Sequence, residues 1–160
     1  QNYNIAYEAQ GYLFQSINVN VPPKSEYSEI KQDIVLEQVK AGVKIVLNNI
    51  FFDTGKSALR KESNIELDKL VKVLKDYKDI VVEVSGHTDN KGNNAKNITL
   101  SKQRAQSVAG YLIKKGVSKT RITVKGYGKT QPIAPNTKPN GKPDPEGMQK
   151  NRRVEFRILD

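Results

Sequence analysis

From residue 43 onwards the hydrophobic pattern alternates between strand-type and helix-type runs, and this alternation constrains the fold more than any other feature. Strand-type runs occupy residues 45–52, 80–84, 121–125 and 152–159. Helix-type repeats occupy residues 64–77 and 97–114. The order βαβαββ predicts an α+β fold, with a mixed sheet, helices packed on one face and right-handed crossovers between parallel strands.

Individual residues in these runs predict helix ends and the direction in which strand side chains face. Ser63 is followed three residues later by Glu66, which is the spacing of a capping box at the start of the first helix. Asn97 opens the second helical repeat and is either its N-cap or a ligand contact. Alternation along the last strand predicts that Arg153 and Glu155 face outward.

Residues 1–42 lack helical periodicity and predict an N-terminal β segment. Residues 17–21 alternate as a half-buried strand does, residues 22–25 should end that strand, and residues 34–36 form a second short apolar run. We interpret this segment as the end of a preceding β-rich domain and residues 43–160 as the main domain. The proline-rich stretch from residue 132 to 145 is expected to lack regular structure.

The composition excludes several kinds of chemistry. The chain has no cysteine and a single histidine, His87, so disulfides, thiolate catalysis and a protein-built transition-metal site are not expected. We therefore predict no cofactor. No stretch approaches the roughly 20 apolar residues of a membrane-spanning helix, so no transmembrane segment is expected in this chain.

The net charge of +10 is concentrated in the second part of the chain, since residues 51–160 hold 23 Lys and Arg against 12 Asp and Glu. Such an excess raises the question of a nucleic-acid partner. The lysines are dispersed, however, and there is no tryptophan and no aromatic interleaving of the kind that stacks bases. We interpret the charge as a solvated lysine-rich surface and predict no nucleic-acid partner.

Arg104 falls within the apolar face of the second helix, although its guanidinium cannot lose its proton to tolerate burial. It must therefore meet a carboxylate or receive one from a ligand. Asp89 is the nearest candidate, in a loop after an inner strand, where α/β units usually bind ligands. Two interpretations remain open: the two residues form a plain salt bridge, or they hold opposite ends of a zwitterion.

Signals for catalysis are weak. His87 and Asp89 lie two residues apart in what is predicted to be one loop, and no activated nucleophile accompanies them. Residues 53–57 are similar to the end of a phosphate-binding loop, but the first glycine of that motif would fall at Ile50. We therefore expect a protein that is not an enzyme.

Five separated motifs occupy residues 49–53, 86–92, 97–105, 126–128 and 151–155. Together they resemble the OmpA-like peptidoglycan-binding domain, and the resemblance spans residues 43–160. The resemblance implies a non-catalytic periplasmic module, associated with the outer membrane of a Gram-negative envelope. Such domains hold the diaminopimelate of the peptidoglycan stem peptide without a covalent bond and anchor larger assemblies to the cell wall.

The same resemblance assigns site residues. Asp89 and Arg104 correspond to the main ligand contacts of the family, and Asn97 and Arg152 would line the pocket. Thr88, Asp53 and Thr54 would lie beside it. Expected partners are peptidoglycan and, through upstream modules, other envelope proteins. The alternative is a structural adaptor that contacts envelope proteins and has no cell-wall ligand.

Overall fold

The computed structural model describes residues 1–21, 23 and 29–159. The strands are β1 (Asn2–Tyr7), β2 (Gln15–Asn20), β3 (Lys44–Leu47), β4 (Val82–His87), β5 (Ile122–Gly128) and β6 (Val154–Ile158). The helices are α1 (Asn64–Asp76), α2 (Asn94–Lys114) and α3 (Pro145–Asn151). This composition confirms the predicted α+β class.

The main sheet has four strands in the order β3-β6-β4-β5. Strands β4 and β5 are parallel, whereas β6 runs antiparallel to both β3 and β4. Strand β4 is buried along its whole length, as an inner strand should be. Strands β1 and β2 form a separate antiparallel hairpin. The predicted mixed sheet and its N-terminal β segment are thus both present.

One hydrophobic core joins the helices to the sheet. Leu70 and Leu74 of α1 and Leu112 of α2 are fully buried, because the helical repeat places their side chains on one face. They pack with Val84 and Phe156, which are partners across β4 and β6. Each fully buried side chain of this kind contributes about 1.5–3 kcal/mol. This face of the sheet is therefore the helix-covered one.

The N-terminal segment adds to the same core. Leu13 and Phe14, in the segment that joins β1 to β2, have exposed fractions of 1% and 3% and belong to this core. Residues 34–36, predicted to be extended, belong to no strand. Of the predicted stop at residues 22–25, only Pro23 lies within the described residues. The assignment of residues 1–42 to a preceding domain stays a prediction.

The capping box predicted at α1 is wrong. The hydroxyl of Ser63 accepts a hydrogen bond from the backbone N–H of Phe51 at 2.8 Å instead of capping the helix. The carboxylate of Glu66 accepts one from the hydroxyl of Ser16 at 2.7 Å. Both side chains therefore stabilise contacts between distant segments, which local spacing does not reveal.

Two predicted boundaries also differ from the structure. The strand predicted over residues 45–52 ends at Leu47, where the chain turns through two asparagines. The proline-rich stretch gives way at residue 145 to α3, which the sequence analysis missed. The carboxylate of Asp144 caps α3 by accepting from the N–H of Gly147 at 3.3 Å, and Pro145 suits the first turn because a donor is not needed there.

Helix α2 lies unusually close to β4 and β5 at two glycines. A Cβ atom at Gly86 would lie 2.0 Å from the carbonyl oxygen of Ser101, and one at Gly126 would lie 2.5 Å from the backbone nitrogen of Lys102. Both contacts are with backbone atoms, which cannot rotate away. The hydroxyl of Ser101 also accepts from the N–H of Gly128 at 2.9 Å. These contacts position α2 on the sheet.

Candidate functional site

The loop after β4 presents a buried carboxylate. Asp89 is 8% exposed, and its Oδ1 accepts from the N–H of Lys91 at 2.9 Å. Its Oδ2 pairs with a guanidinium nitrogen of Arg152 at 2.5 Å, which connects the loop to the start of β6. Thr88 donates its hydroxyl to the carbonyl of Asp89 at 2.9 Å. Asp89 therefore contacts two other predicted site residues, Thr88 and Arg152.

Arg104 reaches a different loop, the one that follows β3. Its Nε donates to the carbonyl of Lys56 at 3.1 Å, and one terminal nitrogen donates to the carbonyl of Asp53 at 3.5 Å. The guanidinium carbon also lies 5.0 Å from the centroid of the Phe52 ring, a cation–π distance. The helix thus directs Arg104 towards backbone carbonyls and an aromatic face.

The direct ion pair between Asp89 and Arg104, one of the two open interpretations, is not formed. Within the described part of the chain, no carboxylate oxygen lies within 4.0 Å of the Arg104 guanidinium. Burial lowers the pKa of Arg104, the nearby charge of Arg152 lowers it further, and Asp89 opposes both effects. Two guanidinium groups therefore share the surroundings of one carboxylate, which leaves local positive charge for an anionic group.

Asn97 holds the loop and does not cap the helix. Its side-chain nitrogen donates to the carbonyl of Lys91 at 2.8 Å. The N-cap is Asn93, whose Oδ1 accepts from the N–H of Ala95 at 2.8 Å. The N-cap alternative for Asn97 is therefore wrong, and its amide instead fixes the segment that carries Asp89.

Asp53 contributes mainly through its backbone. Its half-exposed carboxylate pairs with Arg60 at 2.5 Å and with Lys56 at 3.5 Å, and Arg60 is the main cause of the lowered pKa of this carboxyl. Its carbonyl, as described, accepts from Arg104. Thr54 lies exposed in the same loop. This loop therefore supports Arg104, while its acidic side chain is already paired.

A buried charged cluster lies on the sheet face opposite the helices, and the sequence analysis missed it. Arg153 and Glu155, predicted to face outward, are 8% and 3% exposed and pair at 2.6 Å. Arg153 also donates to the carbonyl of Gln131 at 3.0 Å, so the segment after β5 covers this face. His87 is the last residue of β4, not a loop residue, and its Nε2 lies 3.5 Å from Glu155.

Acid should unfold the protein partly through Glu155. Burial raises the pKa of this carboxyl, but hydrogen bonds and charges from His87 and Arg153 outweigh it and lower the pKa to about 2 from 4.5. The stabilisation, about 3 kcal/mol, is fully present above pH 4.5 and is lost as the pH falls towards 2.

Urea unfolding at several pH values tests this expectation. The variant Glu155→Gln should be less stable than the parent at pH 7 and should lose less stability between pH 4.5 and 2. Identical pH dependence in the two proteins would contradict the assignment.

The sequence that forms this site matches a known family. The model of the OmpA family matches residues 51–145, which is more than half of the chain. The chain belongs to the OmpA family. The resemblance inferred from the separated motifs is thereby confirmed.

OmpA-family relatives include envelope proteins. The probable lipoprotein YiaD of Escherichia coli strain K12 is 38% identical over 74% of this chain and 53% of its own length. A peptidoglycan-associated lipoprotein of Buchnera aphidicola is 32% identical over 87% of this chain and 74% of its own length. The solved cell wall anchor of the type VI secretion system of Pseudomonas aeruginosa is 30% identical over 72% of this chain and 78% of its own, with a TM-score of 0.59.

Several of these matches cover only part of the relative. The chain spans about half the length of YiaD. It is 45% identical over 121 residues to a Gloeobacter violaceus protein named photosystem I P700 chlorophyll a apoprotein A2, but covers only 14% of its length. Across the described residues, no helix is both long and apolar enough to cross a membrane.

Proposed function

We propose that this OmpA-family domain binds peptidoglycan non-covalently by holding the diaminopimelate side chain of the stem peptide. The domain is not an enzyme in this proposal, and it anchors a larger periplasmic or outer-membrane assembly to the cell wall. Other envelope proteins would be bound through other modules of that assembly. The observation that carries the proposal is the half-buried guanidinium of Arg104, which has no carboxylate within ion-pair distance in the described chain.

Arg104 supplies the contact for the ligand carboxylate. A guanidinium has five N–H donors, and the structure assigns two of them to the carbonyls of Lys56 and Asp53. The donors that remain suit a carboxylate, which accepts two parallel hydrogen bonds from arginine. Because burial and Arg152 both disfavour the charge on Arg104, an incoming carboxylate would compensate that cost.

Asp89 supplies the contact for the ligand ammonium. Its two oxygens accept one hydrogen bond each, from Lys91 and Arg152, whereas a carboxylate offers about four acceptor positions. A site with Asp89 on one side and Arg104 on the other therefore matches a group that ends in both an ammonium and a carboxylate. Thr88, Asn97 and the loop at Asp53 and Thr54 position these two charges.

Two relatives support the cell-wall assignment. One is named a peptidoglycan-associated lipoprotein, and the other is described as a cell wall anchor. The alternative, a structural adaptor with no cell-wall ligand, would use the same fold to contact envelope proteins. It gives Arg104 only its contacts with the carbonyls of Lys56 and Asp53 and leaves its remaining N–H donors unused.

A titration with two peptides tests the proposal. A stem peptide that contains diaminopimelate should bind, whereas the same peptide with lysine keeps the ammonium and lacks the second carboxylate. We expect at least about tenfold weaker binding of the lysine peptide, because the contact with Arg104 is lost. Equal binding of the two peptides would refute the assigned role of Arg104, and no response to either would favour the adaptor.

A further inference from the structure

A second groove lies between the N-terminal hairpin and the start of α1, and the proposed function does not use it. Its volume is about 260 Å³. Asn4 and Asn18 of the hairpin line one side, and Phe51, Ile65 and Glu66 line the other. Pockets for drug-sized ligands span roughly 300–1,000 Å³, so this groove suits a single ring-sized unit.

The groove has an apolar platform that the fold does not need. Phe51 and Ile65 are 40% and 68% exposed, and neither belongs to the core, whereas the neighbouring Ile50 and Phe52 pack against it. An exposed aromatic ring in a concave site offers a flat surface for the less polar face of a sugar ring.

A chain of amide side chains leads into the groove. The amide nitrogen of Asn4 donates to the Oδ1 of Asn18 at 3.1 Å, and the amide nitrogen of Asn18 donates to the Oδ1 of Asn49 at 3.1 Å. Asn49 in turn donates to the Oε2 of Glu66 at 3.4 Å. Each amide orients the next, so the groove presents donors and acceptors in a fixed arrangement.

Glu66 ends this chain with an acceptor still available. The side chain is 2% exposed; its Oε2 accepts hydrogen bonds from Ser16 and Asn49 and lies 3.9 Å from the Nζ of Lys69. The hydrogen bonds that Glu66 accepts from the described residues are all to Oε2, and Glu66 lines the groove, so Oε1 is available to a ligand. The lining includes Glu62 and Glu66 but no lysine or arginine, which disfavours an anionic ligand.

We propose that this groove binds a neutral N-acetylated hexosamine unit, as found in the glycan strand of peptidoglycan. Phe51 would stack on the sugar ring, the asparagine amides would bind its acetamido and hydroxyl groups, and Glu66 would accept from an N–H or O–H. The choice of glycan rests on the proposed function. Phe51 lies two residues before Asp53, whose carbonyl accepts from Arg104, so the Cα atoms of Phe51 and Asp53 are at most roughly 7 Å apart and one loop connects the two sites.

Nuclear magnetic resonance titration with tetra-N-acetylchitotetraose, a glycan without peptide, tests the groove. A ligand with one ring in contact should bind with a Kd on the order of 1 mM, so the titration must extend to about 10 mM. We expect shifts of the Asn18, Asn49 and Phe51 amides. Phe51→Ala and Asn4→Ala should weaken binding about tenfold, whereas Asn20→Ala, a control on the same hairpin outside the groove, should leave it unchanged.

The same samples titrated with the diaminopimelate peptide separate this inference from the proposed function. No response to chitotetraose, or equal binding by Phe51→Ala, would overturn the groove assignment, even if the peptide binds. Binding of chitotetraose with the expected loss in Phe51→Ala would support the groove, even if the peptide does not bind. In that case only the proposed binding of the diaminopimelate peptide would be refuted.

Discussion

Replacing Arg104 or Asp89 with alanine is expected to abolish cosedimentation of the protein with purified sacculi. Each substitution removes one of the two charged contacts with the ligand, which corresponds to about 3 kcal/mol or roughly 100-fold in affinity. Arg104→Ala should change the free energy of unfolding by only about 1 kcal/mol, because this residue makes two hydrogen bonds to backbone carbonyls and no ion pair in the described chain. Circular dichroism should remain close to that of the parent.

A matched control separates site chemistry from net charge. Lys102→Ala removes a positive charge from the same helix but from an exposed position, so it should bind sacculi as the parent does. Retained cosedimentation of both Arg104→Ala and Asp89→Ala would refute the proposed function. Equal losses in Lys102→Ala would indicate general electrostatic attraction, which salt would also weaken.

Gly86→Ala is expected to destabilise the fold by about 3 kcal/mol or more, at the upper end of what overpacking usually costs. The new Cβ would lie 2.0 Å from the carbonyl oxygen of Ser101, and a backbone atom cannot move without shifting α2. Urea denaturation of the two proteins would measure the difference. The shift should also weaken peptide binding, since α2 carries Arg104.

Gly110→Ala is the matched control for this substitution. Gly110 lies within the same helix and a Cβ there would meet nothing within 4 Å. Alanine at this position should stabilise the protein by about 0.5–1 kcal/mol, because it favours the helical conformation. Equal denaturation midpoints for Gly86→Ala and Gly110→Ala would contradict the role given to the close contact.

The sequence predicted the elements whose stability depends on periodic burial. The repeat of Leu67, Leu70 and Leu74 indicated α1, and all three side chains are fully buried. The prediction of a capping box at Ser63 was wrong, because the Ser63 hydroxyl accepts a hydrogen bond from the backbone N–H of Phe51 instead. Local spacing predicts which residues form a helix but not which distant groups compete for their polar atoms.

The sequence predicted which residues belong to the candidate site, but not which of them form ion pairs with each other. Sequence motifs brought Asp89, Arg104 and Arg152 into one set, although Asp89 and Arg152 are separated by 63 positions. Which arginine pairs with Asp89 depends on how β6 enters the sheet beside β4. The burial of Arg153 and Glu155 likewise depends on the covering segment near Gln131, whose path strand alternation does not describe.

The contact between Ser101 and Gly86 has a further consequence for selectivity. Arg104 lies three residues after Ser101, and Asp89 lies three residues after Gly86. Because the backbones of α2 and β4 meet at this contact, it limits how far apart the side chains of Arg104 and Asp89 begin. For the proposed ligand, this main-chain contact therefore favours an ammonium and a carboxylate bonded to one carbon at the end of the side chain.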